Sequence, residues 1–323
     1  MKVLVVGGAG YIGSHMVLAL RDTGHDAVVL DDLSSGHEEA LLGAPLVRGS
    51  LADTALLTRL FDDQRPQAVM HFASFIQVGE SVAKPAEYYR NNFVNTLNLL
   101  DAMIAHDVHH FVFSSTAAIF EASDAPIAED HPKAPLNPYG RSKWMVELAL
   151  QDYDRAYGLK SCCLRYFNAA GADPAGRLGE RHEPESHLIP LALQAASGRR
   201  PALKVFGRDY PTPDGTCVRD YIHVVDLCAA HLLALDELAR RNASSVYNLG
   251  NGAGFSVQQV IDAVREVTGH PLRLVEEARR PGDSARLVAD PRRACERLRW
   301  QPRYADLREI VAHAWQWERR ARA

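Results

Sequence analysis

VGGAGYIG, residues 6–13, places a glycine-rich turn directly after the apolar run Lys2–Val6. Two overlapping patterns fit this turn, G-x-G-x-x-G at Gly8, Gly10 and Gly13, and G-x-x-G-x-x-G at Gly7, Gly10 and Gly13. Between a strand and a helix, such glycines permit a tight turn and the close approach of a pyrophosphate. The helix N-terminus adds free N–H groups. The pattern therefore predicts a dinucleotide-binding site.

The second apolar run, Ala27–Leu30, ends in the acidic pair Asp31-Asp32. An acidic residue at this place can bind the ribose hydroxyls of NAD and repels the additional phosphate of NADP. The sequence therefore favours NAD as the cofactor.

Apolar runs alternate with helix-compatible stretches over the first half of the chain. The predicted strands are Lys2–Val6, Asp26–Leu30, Pro45–Val47, Ala68–Phe72, His110–Ser114 and Ser161–Tyr166, and the predicted helices are Tyr11–Thr23, Thr54–Gln64, Pro85–Ala105 and Pro138–Tyr157. This alternation, with continuous apolar strands, predicts an α/β fold with a Rossmann-type doubly wound parallel sheet.

The pattern weakens after Asn168. Predicted elements beyond it are helices near His187–Ser197, Val225–Arg240, Ser256–Thr268 and Pro291–Arg299, and a strand at Val246–Leu249. We predict an NAD-binding domain at residues 1–168, which carries the catalytic residues, and a smaller mixed α/β substrate domain at 169–323. Some later segments are expected to return and pack on the first domain.

Composition excludes several classes of protein. The 323 residues carry a net charge of −4 and no basic tract, which argues against a nucleic-acid partner. The five cysteines form no C-x-x-C and their number is odd, so we predict a reducing cytoplasm and no metal. The chain begins with a strand and lacks a run of 18 apolar residues, so neither a signal peptide nor a membrane span is expected.

Tyr139 and Lys143 form a Tyr-x-x-x-Lys pair directly after Pro138, a residue that favours the first turn of a helix. The two side chains then share one helix face. A lysine ammonium and a positive nicotinamide would lower the pKa of the phenol, which could accept a proton from a sugar hydroxyl. Such pairs also arise by chance in amphipathic helices, but here one follows a dinucleotide fingerprint.

Hydroxyl residues 114–116 (Ser-Ser-Thr) end the predicted strand before that helix. Ligands bind at the carboxyl ends of such strands, where a hydroxyl can hydrogen-bond the reacting oxygen. At least one of the three is expected to act only as a local cap.

The chain as a whole resembles the extended short-chain dehydrogenase/reductase superfamily and, within it, the family of UDP-glucose (UDP-galactose) 4-epimerases. The motifs that carry the resemblance are GGAGYIGSH (7–15), HFASFIQVGESV (71–82), PAEYYRNN (85–92), NPYGRSK (137–143), LRYFN (164–168), YPTPDGTCVRDYIHVV (210–225), YNLG (247–250) and RRPGD (279–283). The 210–225 stretch is the most specific, because relatives with other reactions lack it.

The resemblance implies residue roles. Tyr139 would be the catalytic base, Lys143 its modulator, and Thr116 the hydroxyl that bonds the sugar O4. Cofactor-binding positions would be Gly7, Gly10, Tyr11, Ile12, Gly13, Asp31, Asp32, Leu33, Ser35, Ser50, Leu51, Phe72, Ala73, Ser74, Asn91, Ser114, Lys143 and Phe167. Substrate-binding positions would be Thr116, Tyr139, Asn168, His187, Leu188, Lys204, Val205, Phe206, Arg219, Arg280, Asp283 and Leu287.

By resemblance, a tightly bound NAD takes hydride from C4, the 4-keto sugar turns while its UDP stays anchored, and the hydride returns to the other face. The guanidinium groups of Arg219 and Arg280 suit a diphosphate. Family members pair through the helices equivalent to residues 85–105 and 138–150, so a homodimer is expected.

Several positions depart from the family pattern. Ser50-Leu51 stands where an Asp often lies near the adenine, Ile76 replaces a lysine, Phe120-Glu121 replaces a Tyr-Gly, and His187 replaces an Asn. Leu287 aligns with a gate that is aromatic in members restricted to glucose and galactose and small in members that accept N-acetyl sugars.

Three alternatives stay open at this point. The first is a 4-epimerase acting mainly on UDP-N-acetylhexosamines or UDP-pentoses. The second is a 4,6-dehydratase, disfavoured because Ala117-Ala118 stands where those relatives have Asp-Glu. The third is a non-catalytic NAD-binding protein on the same fold, disfavoured because Tyr139 and Lys143 are retained.

Overall fold

A computed structural model describes residues 1–280 and 283–320 of the chain. Its strands are β1 (Lys2–Val6), β2 (Asp26–Asp31), β3 (Leu46–Arg48), β4 (Ala68–His71), β5 (His110–Thr116), β6 (Lys160–Tyr166), β7 (Asn168–Ala170), β8 (Leu203–Phe206), β9 (Val218–Arg219), β10 (Tyr221–His223), β11 (Ser245–Leu249), β12 (Phe255–Ser256), β13 (Leu274–Glu277) and β14 (Arg286–Leu287). Its α-helices are α1 (Tyr11–Asp22), α2 (Thr54–Gln64), α3 (Val78–Ala83), α4 (Pro85–Tyr88), α5 (Asn95–Ala105), α6 (Pro138–Tyr157), α7 (Leu188–Ala196), α8 (Val224–Arg241), α9 (Val257–Thr268), α10 (Arg292–Arg297) and α11 (Leu307–Arg320).

Seven parallel strands form the central sheet, in the order β3-β2-β1-β4-β5-β6-β11. The order reverses between β1 and β4, which is the switch point at which doubly wound sheets bind ligands. The predicted Rossmann-type fold is confirmed.

Both faces of this sheet are covered, as continuous apolar strands require. Val3 and Val5 pack into one buried cluster with α1 and α8. Leu4 and Val6 point the other way, into a cluster with α2, α5 and α6. Each strand residue therefore contributes to one of two cores, which fixes the register of β1.

The C-terminal half of the chain returns to this sheet. Strand β11 pairs with β6, and α8 packs against α1 in the same core as the fully buried Trp300. The Trp300 indole donates a hydrogen bond to the Asp226 carbonyl in α8 at 2.9 Å. The domain division at residue 168 stays a prediction, but these elements beyond it pack with the first 168 residues.

The other C-terminal elements surround a third core, to which α7, α9 and α11 contribute. Three small sheets join it: β7 with β10, β8 with β13, and the order β12-β9-β14. Strands of two to four residues carry almost no periodic signal, and of these small-sheet strands the sequence analysis predicted none.

The helix predicted at residues 85–105 is interrupted. Helix α4 passes into a π-helical segment, Tyr89–Val94, before α5. π-Helical turns inside helices often lie at functional sites. Here the segment turns the buried Asn92 side chain inward, where it accepts a hydrogen bond from the Phe75 N–H at 2.9 Å.

Within the part of the chain that the structure describes, no helix is long and apolar enough to cross a membrane.

Candidate active site

The glycine turn joins β1 to α1 at the switch point of the sheet. Gly7 has φ +78°, and a Cβ there would lie 2.4 Å from the Ala73 nitrogen, so the turn runs directly against the segment after β4. A Cβ on Gly13 would lie 2.0 Å from the Gly7 oxygen. A Cβ on Gly10 would meet no protein atom closer than 3.5 Å. Gly7 and Gly13 thus serve internal packing, whereas Gly10 leaves open space for a ligand.

The N-terminus of α1 beside this turn has neither a capping side chain nor an acidic residue in its first turn. Its N–H groups and the positive end of the helix dipole suit an anionic pyrophosphate. The Asp31 carboxylate, at the end of β2, accepts hydrogen bonds from the Ala9 and Leu33 N–H groups, both at 2.9 Å. These groups fit a dinucleotide: the open glycine faces the phosphates and the fixed carboxylate the ribose.

The other predicted cofactor-binding residues lie in or directly after the neighbouring strands. Tyr11 is buried and donates from its hydroxyl to the Gly171 carbonyl at 2.7 Å. Exposed residues are Asp32 and Ser35, buried residues are Leu51 and Ser114, and half-buried ones are Ile12, Leu33, Ser50, Phe72, Ala73, Ser74, Asn91 and Phe167. Because the Leu51 side chain lies in the second core, this position offers an adenine only its backbone.

Tyr139, Lys143 and Thr116 come together from two elements. Helix α6 begins at Pro138, and the Asn137 side chain caps it by accepting from the Gly140 N–H at 2.9 Å. Strand β5 runs to Thr116, two residues further than predicted. The Thr116 hydroxyl lies close enough to the Tyr139 phenol to hold its pKa down. The proposed base and hydroxyl therefore face each other at the carboxyl edge of the sheet.

Lys143 is directed into this edge and is 3% exposed. Its Nζ donates to the Ser114 carbonyl at 3.0 Å and lies 4.9 Å from the centroid of the Phe113 ring. Burial lowers the pKa of Lys143 to about 7.

In the protein without bound NAD, the pKa of Tyr139 is not lowered. Burial raises the pKa of Tyr139 above its ordinary value, and the nearby Thr116 hydroxyl opposes this only in part. The physical reason is that a desolvated phenolate costs more than one hydroxyl donor returns. Lowering this pKa requires a further positive charge at the site.

Predicted substrate residues form a second group. Arg280 donates from Nε to the Asp283 carboxylate at 2.9 Å, and its guanidinium carbon lies 4.9 Å from the centroid of the Phe206 ring. Arg219 Nη2 lies 3.8 Å from the same carboxylate. Two guanidinium groups thus flank one carboxylate, an excess of positive charge that suits a diphosphate.

Other predicted substrate residues are directed elsewhere. Val205 is buried in the third core, and Lys204 Nζ lies 3.0 Å from Glu277 on β13. The Asn168 amide donates to the Asp220 carbonyl at 2.8 Å. His187, directly before Leu188 and α7, hydrogen-bonds the Glu180 carboxylate. Pro281 and Gly282 of the RRPGD motif, and residues 321–323, lie outside the described residues.

The model of the NAD dependent epimerase/dehydratase family matches residues 3–250. The chain belongs to this family. UDP-glucose 4-epimerase of Halalkalibacterium halodurans is 50% identical over 320 residues, which cover 99% of this chain and 96% of the relative. A likeness of this extent places the chain among the UDP-glucose 4-epimerases, which are isomerases with NAD as cofactor.

Two solved structures extend the comparison. UDP-glucose 4-epimerase from Brucella ovis, in complex with NAD, is 47% identical, with a TM-score of 0.95 and coverage of 97% of each chain. The UDP-Glc/GlcNAc 4-epimerase from Campylobacter jejuni is 43% identical, with a TM-score of 0.86 and coverage of 99% of each chain.

Two positioning residues of this epimerase were missed in the sequence. The Asn92 amide donates to Ser142 Oγ at 3.1 Å, tying the π-helical segment to α6 between Tyr139 and Lys143. The buried Asp220 carboxylate accepts from the N–H groups of Asn251, Gly252 and Ala289. Both residues were visible only as parts of quoted motifs, and Asn92 lay inside the stretch predicted as one continuous helix, Pro85–Ala105.

Proposed function

We propose that this epimerase interconverts UDP-glucose and UDP-galactose with Tyr139, Thr116 and Lys143 as its catalytic residues. The observation that carries the proposal is that Tyr139, the hydroxyl of Thr116 and the buried Lys143 meet at the carboxyl edge of the sheet that also carries the glycine turn. A base, a hydroxyl and a cation thus lie at the edge of the sheet where a dinucleotide fits.

Tyr139 accepts the O4 proton of the sugar, and Thr116 holds that oxygen with its hydroxyl. Bound NAD would supply the hydride chemistry at C4, by accepting the hydride and returning it to the opposite face of the sugar. Tyr139 then gives the proton back to O4, so atoms and charge balance over one turnover.

Lys143 and the positive nicotinamide of bound NAD would together supply the charge that the tyrosinate needs. Burial penalises a tyrosinate or an ammonium alone, but the two charges one helical turn apart stabilise each other. The Ser114 carbonyl, 3.0 Å from Nζ, keeps the ammonium at the site. Proton transfer therefore belongs to the pair and not to Tyr139 alone.

The substrate's diphosphate binds to Arg219 and Arg280, which flank Asp283. Support comes from the two guanidinium groups, of which Arg280 is exposed and lies over the Phe206 ring. This aromatic ring would offer a flat surface to the uracil base of the substrate. Anchoring at this end leaves the hexose free to turn.

Product analysis tests this function. Purified protein given UDP-galactose without added NAD is expected to form UDP-glucose. Tyr139→Phe should fold and retain NAD but lose at least about 10²-fold in kcat. Tyr157→Phe, exposed on the same helix, is the matched control. Full turnover by Tyr139→Phe would remove Tyr139 from its role.

A second candidate function is 4-epimerisation mainly of UDP-N-acetylhexosamines or UDP-pentoses. It is favoured by Leu287, which is smaller than an aromatic gate and packs against the buried cluster of Ala117 and Ile119 directly after Thr116. Comparing turnover of UDP-galactose and UDP-N-acetylgalactosamine separates the two.

We also propose a homodimer. Support comes from Val94 and Leu148, 45% and 43% exposed beside α5 and on α6, because exposed apolar side chains on neighbouring helices favour association. Light scattering at micromolar concentration should give twice the chain mass. The double variant Val94→Glu with Leu148→Glu should be a monomer. The control Val275→Glu, at a residue 38% exposed on β13, should remain a dimer. A monomeric wild type would contradict the proposal.

A cytoplasmic location is the last part of the proposal. It is supported by the free cysteines, four of which are buried thiols away from any disulfide partner.

A further inference from the structure

Four side chains converge on the segment that precedes α7. They are Glu180, His182, Glu185 and His187, called the His–Glu cluster below. One atom from each, an imidazole nitrogen or a carboxylate oxygen, lies within 4.8 Å of all the others. The cluster lies outside the catalytic group of Tyr139, Thr116 and Lys143.

The distances converge on one point. His182 Nδ1 lies 3.1 Å from Glu180 Oε1 and 3.9 Å from Glu185 Oε1. His187 Nδ1 hydrogen-bonds Glu180 Oε1 and lies 3.7 Å from Glu185 Oε1. Zinc bonds of 2.0–2.1 Å in a tetrahedron separate neighbouring ligand atoms by about 3.3 Å. The separations in the cluster bracket this value.

Burial makes positive charge at this point favourable. The Glu180 and Glu185 side chains are each 5% exposed. Two neighbouring carboxylates that have lost their water need two positive charges. A divalent ion supplies both charges and leaves the imidazoles neutral, which is the form in which histidine binds metals.

The pairing of the four groups does not fit two separate ion pairs. Glu180 Oε1 is approached by both imidazoles, whereas Glu185 Oε1 lies beyond hydrogen-bonding distance of either. Backbone N–H groups of Ser186 and His187 instead hold Glu185 Oε1, at 2.7 and 2.9 Å. These bonds fix the position of the Glu185 oxygen that faces the cluster, as hydrogen bonds from outside the ligand sphere fix metal ligands.

We propose that the His–Glu cluster is a structural site for a divalent transition metal, zinc being the ion that fits its ligands best. Two imidazoles and two carboxylates favour zinc over magnesium or calcium, which prefer oxygen ligands alone. Four protein ligands fill a tetrahedron and leave no position for a reacting water, so the site is structural. The proposal does not depend on the epimerase activity.

The position of the site gives the metal its role. The His182 ring meets the Tyr11 ring edge-on, with centroids 6.2 Å apart, and Tyr11 begins α1 at the dinucleotide site. The Trp317 indole of α11 donates to the Glu180 carbonyl at 3.1 Å. A metal at the cluster would therefore clamp residues 180–187 between α1, α7 and α11.

No metal was expected from the sequence, because its cysteines form no C-x-x-C pairs. The actual spacing is E-x-H-x-x-E-x-H, which alternates two ligand types over eight residues. Only the fold of the segment brings these four side chains to one point.

Metal content tests the proposal first. Protein purified without a metal-affinity tag, from medium supplemented with zinc, is expected to hold about one zinc per chain by mass spectrometry. Chelator-treated protein should bind cobalt(II) with the intense visible bands of a tetrahedral site. Adding zinc to it should raise the unfolding temperature, because the folded chain alone holds the site.

A matched pair of variants locates the ion. His182→Asn with Glu185→Gln should reduce the zinc affinity at least about tenfold and abolish the cobalt bands. His270→Asn with Glu38→Gln changes the same residue types at exposed positions and should leave both readouts unchanged.

The metal proposal can be tested with the variants or, if they fail to fold, with the wild-type protein alone. If the first variant does not fold, the stoichiometry and cobalt spectrum of the wild type still test the site. Wild-type protein that retains no zinc, shows no cobalt bands and keeps its unfolding temperature in chelator would overturn the proposal. The cluster would then be a network of protonated histidines and carboxylates.

Discussion

Lys143 Nζ donates a hydrogen bond to the Ser114 carbonyl at 3.0 Å, so the strand that ends at the site fixes the cation of the neighbouring helix. This bond satisfies one of the three ammonium donors in an otherwise apolar setting that includes the Phe113 ring. The fold therefore fixes the position of the Lys143 ammonium, although burial disfavours its charged form.

That penalty predicts how stability depends on pH. Burial lowers the pKa of Lys143 from 10.5 to about 7. Between these values the unfolded chain binds more protons than the folded one, so stability rises with pH across the window. Urea unfolding of cofactor-free protein should show this rise in wild type and a smaller one in Lys143→Met. Equal slopes would mean that Lys143 keeps its ordinary pKa.

Gly10 and Gly13 should respond differently to alanine. A Cβ on Gly13 would lie 2.0 Å from the Gly7 oxygen, so Gly13→Ala is expected to cost about 1–3 kcal/mol of unfolding free energy or more. Gly10→Ala has room within the protein and should cost less than about 1 kcal/mol.

NAD binding completes this prediction. Gly10→Ala should lose most of its NAD, because its methyl group occupies the space beside the N-terminus of α1. NAD content and urea unfolding of the stripped proteins measure both effects. Gly79→Ala, where a Cβ meets nothing within 4 Å, is the control, and normal NAD content in Gly10→Ala would contradict the assignment.

The two adjacent carboxylates, Asp31 and Asp32, should not be equivalent. Asp31 uses both oxygens to accept the Ala9 and Leu33 N–H groups. Asp31→Asn keeps one acceptor oxygen, leaves one N–H unpaired, and no longer repels a 2′-phosphate. We expect about tenfold weaker NAD binding and a reduced preference for NAD over NADP.

Asp32→Asn is the control for that change. Asp32 is exposed, and its carboxylate accepts only the Ser34 N–H at 2.9 Å. Titration with NAD and NADP should leave its affinities within about twofold of wild type. If Asp32→Asn loses NAD and Asp31→Asn does not, the ribose contact belongs to Asp32.

These results show how far the sequence predicts the structure. Strands in the first half of the sheet and the start of α6 at Pro138 follow from local apolar runs and capping residues. The partner of β11 could not be predicted, because pairing with β6 joins segments about 80 residues apart. The π-helical segment depends on Asn92 meeting Ser142, and local sequence does not encode that contact.

The candidate site, like the fold, was predictable from the sequence only in part. The residue types of Tyr139, Lys143 and Thr116 were readable from spacing within α6 and from the end of β5. Their electrostatics were not, because the pKa of Tyr139 depends on how deeply the folded chain buries it. The His–Glu cluster was missed for a related reason, since its four ligands converge only through the path of residues 180–187.

Leu287 provides the sharpest test of substrate range. It pairs with Arg219 across β14 and β9 and packs against the buried cluster of Ala117 and Ile119, which follows Thr116. Leu287→Tyr should narrow the sugar pocket and lower kcat/KM for UDP-N-acetylgalactosamine by about 10–200-fold relative to UDP-galactose. Leu287→Ala should shift the ratio the other way. If wild type already rejects the N-acetyl sugar, Leu287→Ala alone should admit it, and a ratio that neither substitution changes would mean that another residue sets the size of the pocket.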